Sequence, residues 1–227
     1  MIQTPFTRMI SGPSSCGKNT FVLNVLDSLK QFDKILWCNA EMNAIPKSLY
    51  NYNNLEVKKN IPENFDNVPH NSIIILDDLM LEAYNKNVCE LFTKGSHHRN
   101  LSIILTTQNV FHQGKYARDI CLNCKYLVFF KNPRDQSQIV PLARQIYPEN
   151  SRDLIRVYKE VTEKPFSYLL FDLTQAGSEV MRYQTNIFDK DTKVCYIPQS
   201  VLDNRDICSE NEKIDGEQTF FTHIEKC

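Results

Sequence analysis

One stretch narrows the choice of fold more than any other in this chain: Ile10-Ser11-Gly12-Pro13-Ser14-Ser15-Cys16-Gly17-Lys18-Asn19-Thr20. It has the spacing G-x-x-x-x-G-K. The apolar run Phe6 to Ile10 enters it, and Phe21, Val22, Val25, Leu26 and Leu29 leave it with the spacing of a one-sided apolar helix. Phosphate groups need backbone N–H donors at close range, and glycine permits the approach because it has no Cβ. The helix that follows turns its positive N-terminal dipole towards the same anion. The motif therefore predicts a strand, a phosphate-cradling loop and a helix. Gly12, Pro13, Ser14, Ser15, Cys16, Gly17, Lys18, Asn19 and Thr20 form the cradle, and Lys18 reaches the β- and γ-phosphates of a nucleotide. One position departs from the pattern. Asn19 stands where Ser or Thr normally holds Mg2+, with Thr20 just after it. An amide oxygen can ligate Mg2+, but it is neutral and sits on a longer arm than a hydroxyl. The plainer reading of Asn19 is a helix cap.

Strand-like and helix-like runs alternate downstream. Asp33 to Cys38 reads as a second strand, and Ile45-Pro46, Ile61-Pro62 and Val68-Pro69 interrupt any long element between 39 and 70. Ile73-Ile74-Ile75-Leu76 lacks alternation, as a strand buried on both faces of a parallel sheet does. It ends in Asp77-Asp78, which reads as a Walker B motif: Asp77 beside Mg2+ and Asp78 polarising the attacking water. A P-loop lysine 59 positions upstream distinguishes the pair from acids decorating a helix start. Leu79 to Thr93 is helical in pattern, Gly95 ends it, and residues 96–100 form a polar connection. Leu101 to Leu105 is the next buried strand and runs into Thr106-Thr107-Gln108. In this reading the strand lies between the P-loop and Walker B strands, which puts Gln108 beside the attacking water as a γ-phosphate sensor; the plainer reading is a polar residue that opens a turn. Val110 to Arg118 follows as a loop at the C-terminal edge of the sheet. Its Lys115 and Arg118 are candidate contacts to DNA phosphates, without sequence readout. Lys125 to Phe130 is a fifth strand, Arg134–Tyr147 and Ser151–Thr162 are helices, and Phe166–Leu173 and Val194–Ile197 are further strands.

With 227 residues, 42% of them hydrophobic, the chain is long enough for one α/β domain with a proper core. No run approaches the ~18 apolar residues of a membrane span, and the first residues lack a charged-then-apolar leader pattern. The expectation is an intracellular protein with no membrane partner. Eight cysteines then read as reduced thiols. Cys121-Leu122-Asn123-Cys124 is a lone C-x-x-C; zinc would need two more ligands, and His112 is the nearest candidate. The net charge of −1 hides an asymmetry. Residues 201–227 carry seven acids and three bases, a net −4, which leaves residues 1–200 at +3. The expected organisation is an ATPase domain over 1–198 and a polar acidic tail over 199–227. In that tail, Thr219-Phe220-Phe221 is a candidate docking anchor.

Two longer signatures make a resemblance specific. They are the run Lys94 to Asn109, and Tyr126-Leu127-Val128-Phe129-Phe130-Lys131-Asn132-Pro133-Arg134-Asp135 with Leu142-Ala143-Arg144-Gln145 downstream. Together they resemble the genome-packaging ATPases of Polinton/Maverick elements and related double-stranded DNA viruses, in the FtsK-HerA group of P-loop motors. The resemblance covers roughly residues 6 to 198. It implies an ATP-driven translocase of double-stranded DNA, a homo-oligomeric ring, capsid proteins as partners, and a place in the host nucleus or cytoplasm or with virions. It also implies that Arg99, before the sensor strand, reaches the γ-phosphate of a neighbouring subunit; Arg118, Arg134 and Arg144 are other candidates for that role.

The expected fold is therefore α/β: a P-loop NTPase with a RecA-like, mostly parallel central sheet flanked by helices. The expected activity is hydrolysis of ATP with Mg2+, coupled to DNA movement. A nucleotide or small-molecule kinase is the rival enzyme class. A nucleotide-binding structural protein is the non-enzymatic alternative, raised by Asn19.

Overall fold

Runs that lack alternation become strands covered on both faces. In the computed structural model, which describes residues 4–29, 32–79, 82–189, 193–197 and 225–226, four such runs are buried at every position. They are β1 (Thr7–Ser11), β4 (Ser72–Asp77), β5 (Ser102–Thr107) and β6 (Tyr126–Phe130). The chain divides into two compact units, Met1–Phe130 and Lys131–Cys227. Apart from residues 225–226, the proposed acidic tail with its Thr219-Phe220-Phe221 run lies outside the described residues.

In the first unit these strands join β2 (Lys34–Asn39) and β3 (Leu55–Lys59). All neighbours pair in parallel, in the order β6-β1-β5-β4-β2-β3. Strand β5, which Gln108 follows, thus lies between β1 and β4. Helix α1 (Lys18–Leu29) follows β1 and buries Phe21, Val22, Val25 and Leu26, the face that its apolar spacing dictates. From β1 the chain passes to β2 on one side of the sheet, and later to β6 on the other. The loop after β1 therefore opens at a switch point, where α/β sheets bind ligands.

Strand β3 is absent from the sequence reading. Its residues alternate apolar and charged only briefly, and at the edge of the sheet they are half-buried from Leu55 to Val57 and exposed at Lys58 and Lys59. Glu56 on β3 pairs with Lys34 on β2 and with Lys58 (3.2 Å), and its hydrogen bond to Lys34 leads in holding its carboxyl below the usual range.

The helix after the Walker B strand is also corrected. In place of a helix over 79–93 there is a 3-10 turn (Glu82–Tyr84). Helix α2 (Lys86–Glu90) comes next, its start capped by the Asn85 side chain, which accepts from Val88 N. A π-type turn (Leu91–Gly95) leads directly into α3 (Ser96–His98). Gly95 does not end the helix. It sits buried with φ −61°, a Cβ there would stand 3.2 Å from the Leu91 side chain, and the helical path continues to Arg99. Close packing, and not a left-handed turn, explains this glycine. The segment expected as one loop over 110–118 ends in helix α4 (Ala117–Leu122), which takes up Arg118.

The second unit holds α5 (Ile139–Ile146), α6 (Ser151–Val161) and an antiparallel set of strands. These are β7 (Tyr168–Asp172), β8 (Tyr183–Thr185), β9 (Val194–Tyr196) and β10 (Glu225–Lys226), paired in that order. On α6, Leu154, Val157, Tyr158 and Val161 are buried at helical spacing. Helix α5 begins five residues later than Arg134, because Asp135 accepts hydrogen bonds from the side chains of Ser137 and Gln138 and organises a 3-10 turn before it.

Among the described residues, no helix is long and apolar enough to cross a membrane.

Candidate nucleotide site

The loop between β1 and α1 has the backbone of an anion cradle. Ser15 and Gly17 take positive φ values of 61° and 108°, which folds successive N–H groups to one side. Gly12 must be glycine for a steric reason. A Cβ there would stand 2.6 Å from Cys16 Sγ and 2.8 Å from Phe130 Cβ. Phe130, at the end of β6, also meets Phe21 of α1 edge-to-face (6.3 Å, 86°), so strand, loop and helix close on one another. Lys18 is buried, and its Nζ donates to the carbonyls of Gly12 (2.7 Å) and Pro13 (2.8 Å).

Gly12 N donates to Thr107 O (3.1 Å), which ties the loop to the end of β5. Next along the chain, Gln108 Nε2 stands 3.4 Å from Asp78 Oδ1 as donor. Asp78 is exposed with φ 52°, a left-handed turn that Asp tolerates better than most residues and that swings it out of the line of β4. Asp77 stays in that line, 3% exposed. Its Oδ1 accepts from the Thr106 hydroxyl (2.7 Å) and its Oδ2 from Asn39 Nδ2 (2.8 Å). Thr106 Oγ1 in turn accepts from Asp78 N (3.0 Å), so one hydroxyl aims both acids. Burial raises the pKa of Asp77, while its bonds to Thr106 and Asn39 pull the other way.

Lys18, Asp77, Asp78 and Gln108 thus share one edge of the sheet, connected through Gly12, Thr107 and Thr106. Sequence reasoning missed Asn39 and Thr106. Asn39 looked like the first residue after a strand; Glu41 N donates to its Oδ1 (2.6 Å), which fixes the amide for Asp77. The only signal for Thr106 was that a threonine ends a buried strand beside the Walker B strand.

Other expected residues lie elsewhere. Thr20 is exposed and lines a cleft of about 570 Å³ beside Leu23, Asp27, Ser48, Tyr52 and Asn54, which contains none of the four residues above. Arg99 precedes β5, so it lies at the opposite edge from Gln108, about 20 Å away by the length of a six-residue strand. Its guanidinium donates to Asp66 O (3.1 Å) and Val68 O (2.6 Å). Lys115 and Arg118 are exposed, with Lys115 Nζ over the Tyr116 ring at 5.3 Å. Arg134 and Arg144 are exposed in the second unit. Cys121 lies in the last turn of α4 and Cys124 two residues past its end, and burial raises the pKa of both thiols.

Asp77 and Asn19 are the candidate ligands for a divalent cation, by the chemistry of their oxygens. A carboxylate fixed by two donors in a desolvated place gains most from an adjacent positive charge, and half-buried Asn19 follows Lys18 at the start of α1. Among the described residues, no three His, Cys, Asp or Glu side chains could hold a metal by themselves.

The P-loop at the end of β1, the acid pair ending β4 and the strand between them define an α/β fold of the P-loop NTPase type. Solved structures of the genome packaging NTPase B204 from Sulfolobus turreted icosahedral virus 2 share this fold. The complex with sulfate matches with a TM-score of 0.53 and 13% identity, over 76% of this chain and 94% of that one. The complex with ATP-gammaS matches with a TM-score of 0.51 and 14% identity, over 78% of this chain and 96% of that one. No protein-family model and no curated protein matches the chain.

Proposed function

We propose that the chain is a Mg2+-dependent ATPase that moves double-stranded DNA, and that it serves to package a viral or mobile-element genome into a capsid. The observation that carries this reading is the hydrogen-bonded path from Lys18 through Gly12, Thr107 and Gln108 to Asp78, Thr106 and Asp77. It brings Lys18, the glycine loop, Asp78 and Gln108 together at one edge of the sheet, the arrangement that this reading requires. The packaging role draws on the likeness in fold to B204, whose structures include complexes with ATP-gammaS and AMP, and on the sequence resemblance to packaging motors.

In this reading Lys18 exchanges two loop carbonyls for phosphate oxygens, and the loop N–H groups bind the remainder of the anion. Asp77 and Asn19 hold Mg2+, which when bound offsets phosphate charge. Asp78 polarises the attacking water, and Gln108 aligns it by bridging to Asp78. Lys115 and Arg118 meet DNA phosphates. Arg99 acts on a neighbouring subunit of a ring, for which it must release Asp66 and Val68.

The test is steady-state ATP hydrolysis with and without long duplex DNA. The expected result is Mg2+-dependent turnover that DNA increases, with Asp78→Asn lowering it ~10²-fold or more while nucleotide binding persists. Phosphoryl transfer to a soluble acceptor without response to DNA would identify a kinase instead. Binding without turnover would identify a structural protein.

A further inference from the structure

Gln108 is braced by a residue outside the P-loop and Walker motifs. Tyr84 closes the 3-10 turn after the Walker B strand and is 8% exposed. Its hydroxyl stands 3.1 Å from Thr107 Oγ1 and 3.3 Å from Asn109 O, so it spans Gln108 from both sides. Thr107 and Asn109 are also tied to each other: Asn109 N donates to Thr107 Oγ1 (3.2 Å), and that hydroxyl reaches Asn109 O (3.1 Å). Burial raises the phenol above its ordinary 10.0, so it remains a donor at neutral pH. The ring then faces the other way. It stacks on His112 with centroids 4.6 Å apart and planes within 14°. At Gly114 a Cβ would stand 4.0 Å from Tyr84 Cβ and 3.8 Å from the His112 ring. One side chain therefore touches the main chain that carries Gln108 and the segment that leads to Lys115 and Arg118.

We propose that Tyr84 is a positioning residue that sets Gln108 through its hydroxyl and transmits the nucleotide state to the Lys115–Arg118 segment through its stacked ring. The inference rests on the ATPase reading above and deepens it. When Gln108 shifts to meet a bound γ-phosphate, residues 107 and 109 shift with it. The phenol is bonded to both, so the ring and the stacked His112 follow.

The test uses the full chain and three variants. Tyr84→Phe keeps the stack and removes the hydroxyl. Its kcat should fall ~10-fold with KM for ATP within about twofold, the pattern of a misplaced catalytic group and not of lost binding. His112→Ala should keep the basal kcat. Trypsin cleavage after Lys115 and Arg118, with and without ATP-gammaS, reads the second half of the proposal. Nucleotide should change the cleavage rate in the wild type and leave it unchanged in Tyr84→Phe and in His112→Ala. Tyr84→Leu should lose both properties, with circular dichroism as the folding control. Wild-type kcat in Tyr84→Phe overturns the positioning role. Wild-type nucleotide dependence of cleavage in Tyr84→Phe or His112→Ala overturns the transmission. A wild-type protein that neither binds nor hydrolyses ATP overturns the ATPase reading itself, and this proposal with it; that outcome shows before any variant is made.

Discussion

At the scale of single residues, the acid pair carries two opposite adaptations. Asp78 is exposed and free to meet water, whereas Asp77 is buried and held by Thr106 and Asn39. Its folded pKa lies above its ordinary 3.8 because burial outweighs those two bonds. A carboxyl with a raised folded pKa stabilises the fold below the unfolded value and loses that contribution as pH rises through the folded one. Ionising Asp77 as pH rises therefore costs the nucleotide-free protein stability. Asp77→Asn should raise Tm at pH 7 and abolish Mg2+-dependent turnover. The gain should shrink as pH falls towards 3.8; thermal melts from pH 7 down to about 4 check the sign. Asn19 makes a second prediction at this scale. If its amide oxygen serves Mg2+, Asn19→Thr should lower the Mg2+ needed for half-maximal turnover. Asn19→Leu, of similar size without the oxygen, should abolish metal-dependent turnover with the fold intact. Wild-type Mg2+ dependence in Asn19→Leu would reduce Asn19 to a helix-start residue.

At the scale of elements, Arg99 joins the end of the α2–α3 helical path to the loop before β4 by donating to Asp66 and Val68. Arg99→Ala removes both bonds, and the partly buried site should cost about 1–2 kcal/mol. A subunit bearing this change should still bind ATP. If Arg99 also serves a neighbour, mixing Arg99→Ala with Lys18→Ala subunits should restore some hydrolysis, because each supplies what the other lacks. With assembly shown by light scattering, the lack of any rescue would leave Arg99 a structural clamp. The same region shows why local pattern misleads. Gly95 resembles a helix stop in sequence, but a π-type turn and tight packing on Leu91 keep it inside the helical path.

At the scale of the whole molecule, the proposed DNA-binding residues have a thermodynamic signature. Lys115 and Arg118 are exposed beside a stacked aromatic link to the sensor strand. Reversing both charges (K115E with R118E) should weaken duplex DNA binding at every sequence. It should also make the salt dependence shallower by about 0.9 for each phosphate no longer neutralised. ATP hydrolysis without DNA should persist. An unchanged salt slope would move the DNA-binding surface elsewhere. The sequence by itself determined the glycine-loop spacing, the acid pair and the strand–helix order that calls for a parallel sheet, because glycine spacing and unbroken apolar runs act over a few residues. Residue patterns and motif order also placed Gln108 at the end of a strand between the P-loop and Walker B strands. Only the tertiary structure decided what aims those groups: Asn39 and Thr106 on Asp77, and Tyr84 across Gln108, pairs separated by 38, 29 and 24 positions. It also decided that Arg8, in the middle of an apolar strand, lies fully buried with its guanidinium 4.9 to 5.5 Å from the ring centres of Phe6, Tyr126 and Phe21. Asn39, Asp77 and Thr106 meet because parallel strands far apart in the chain end at one edge, and no local pattern records that meeting.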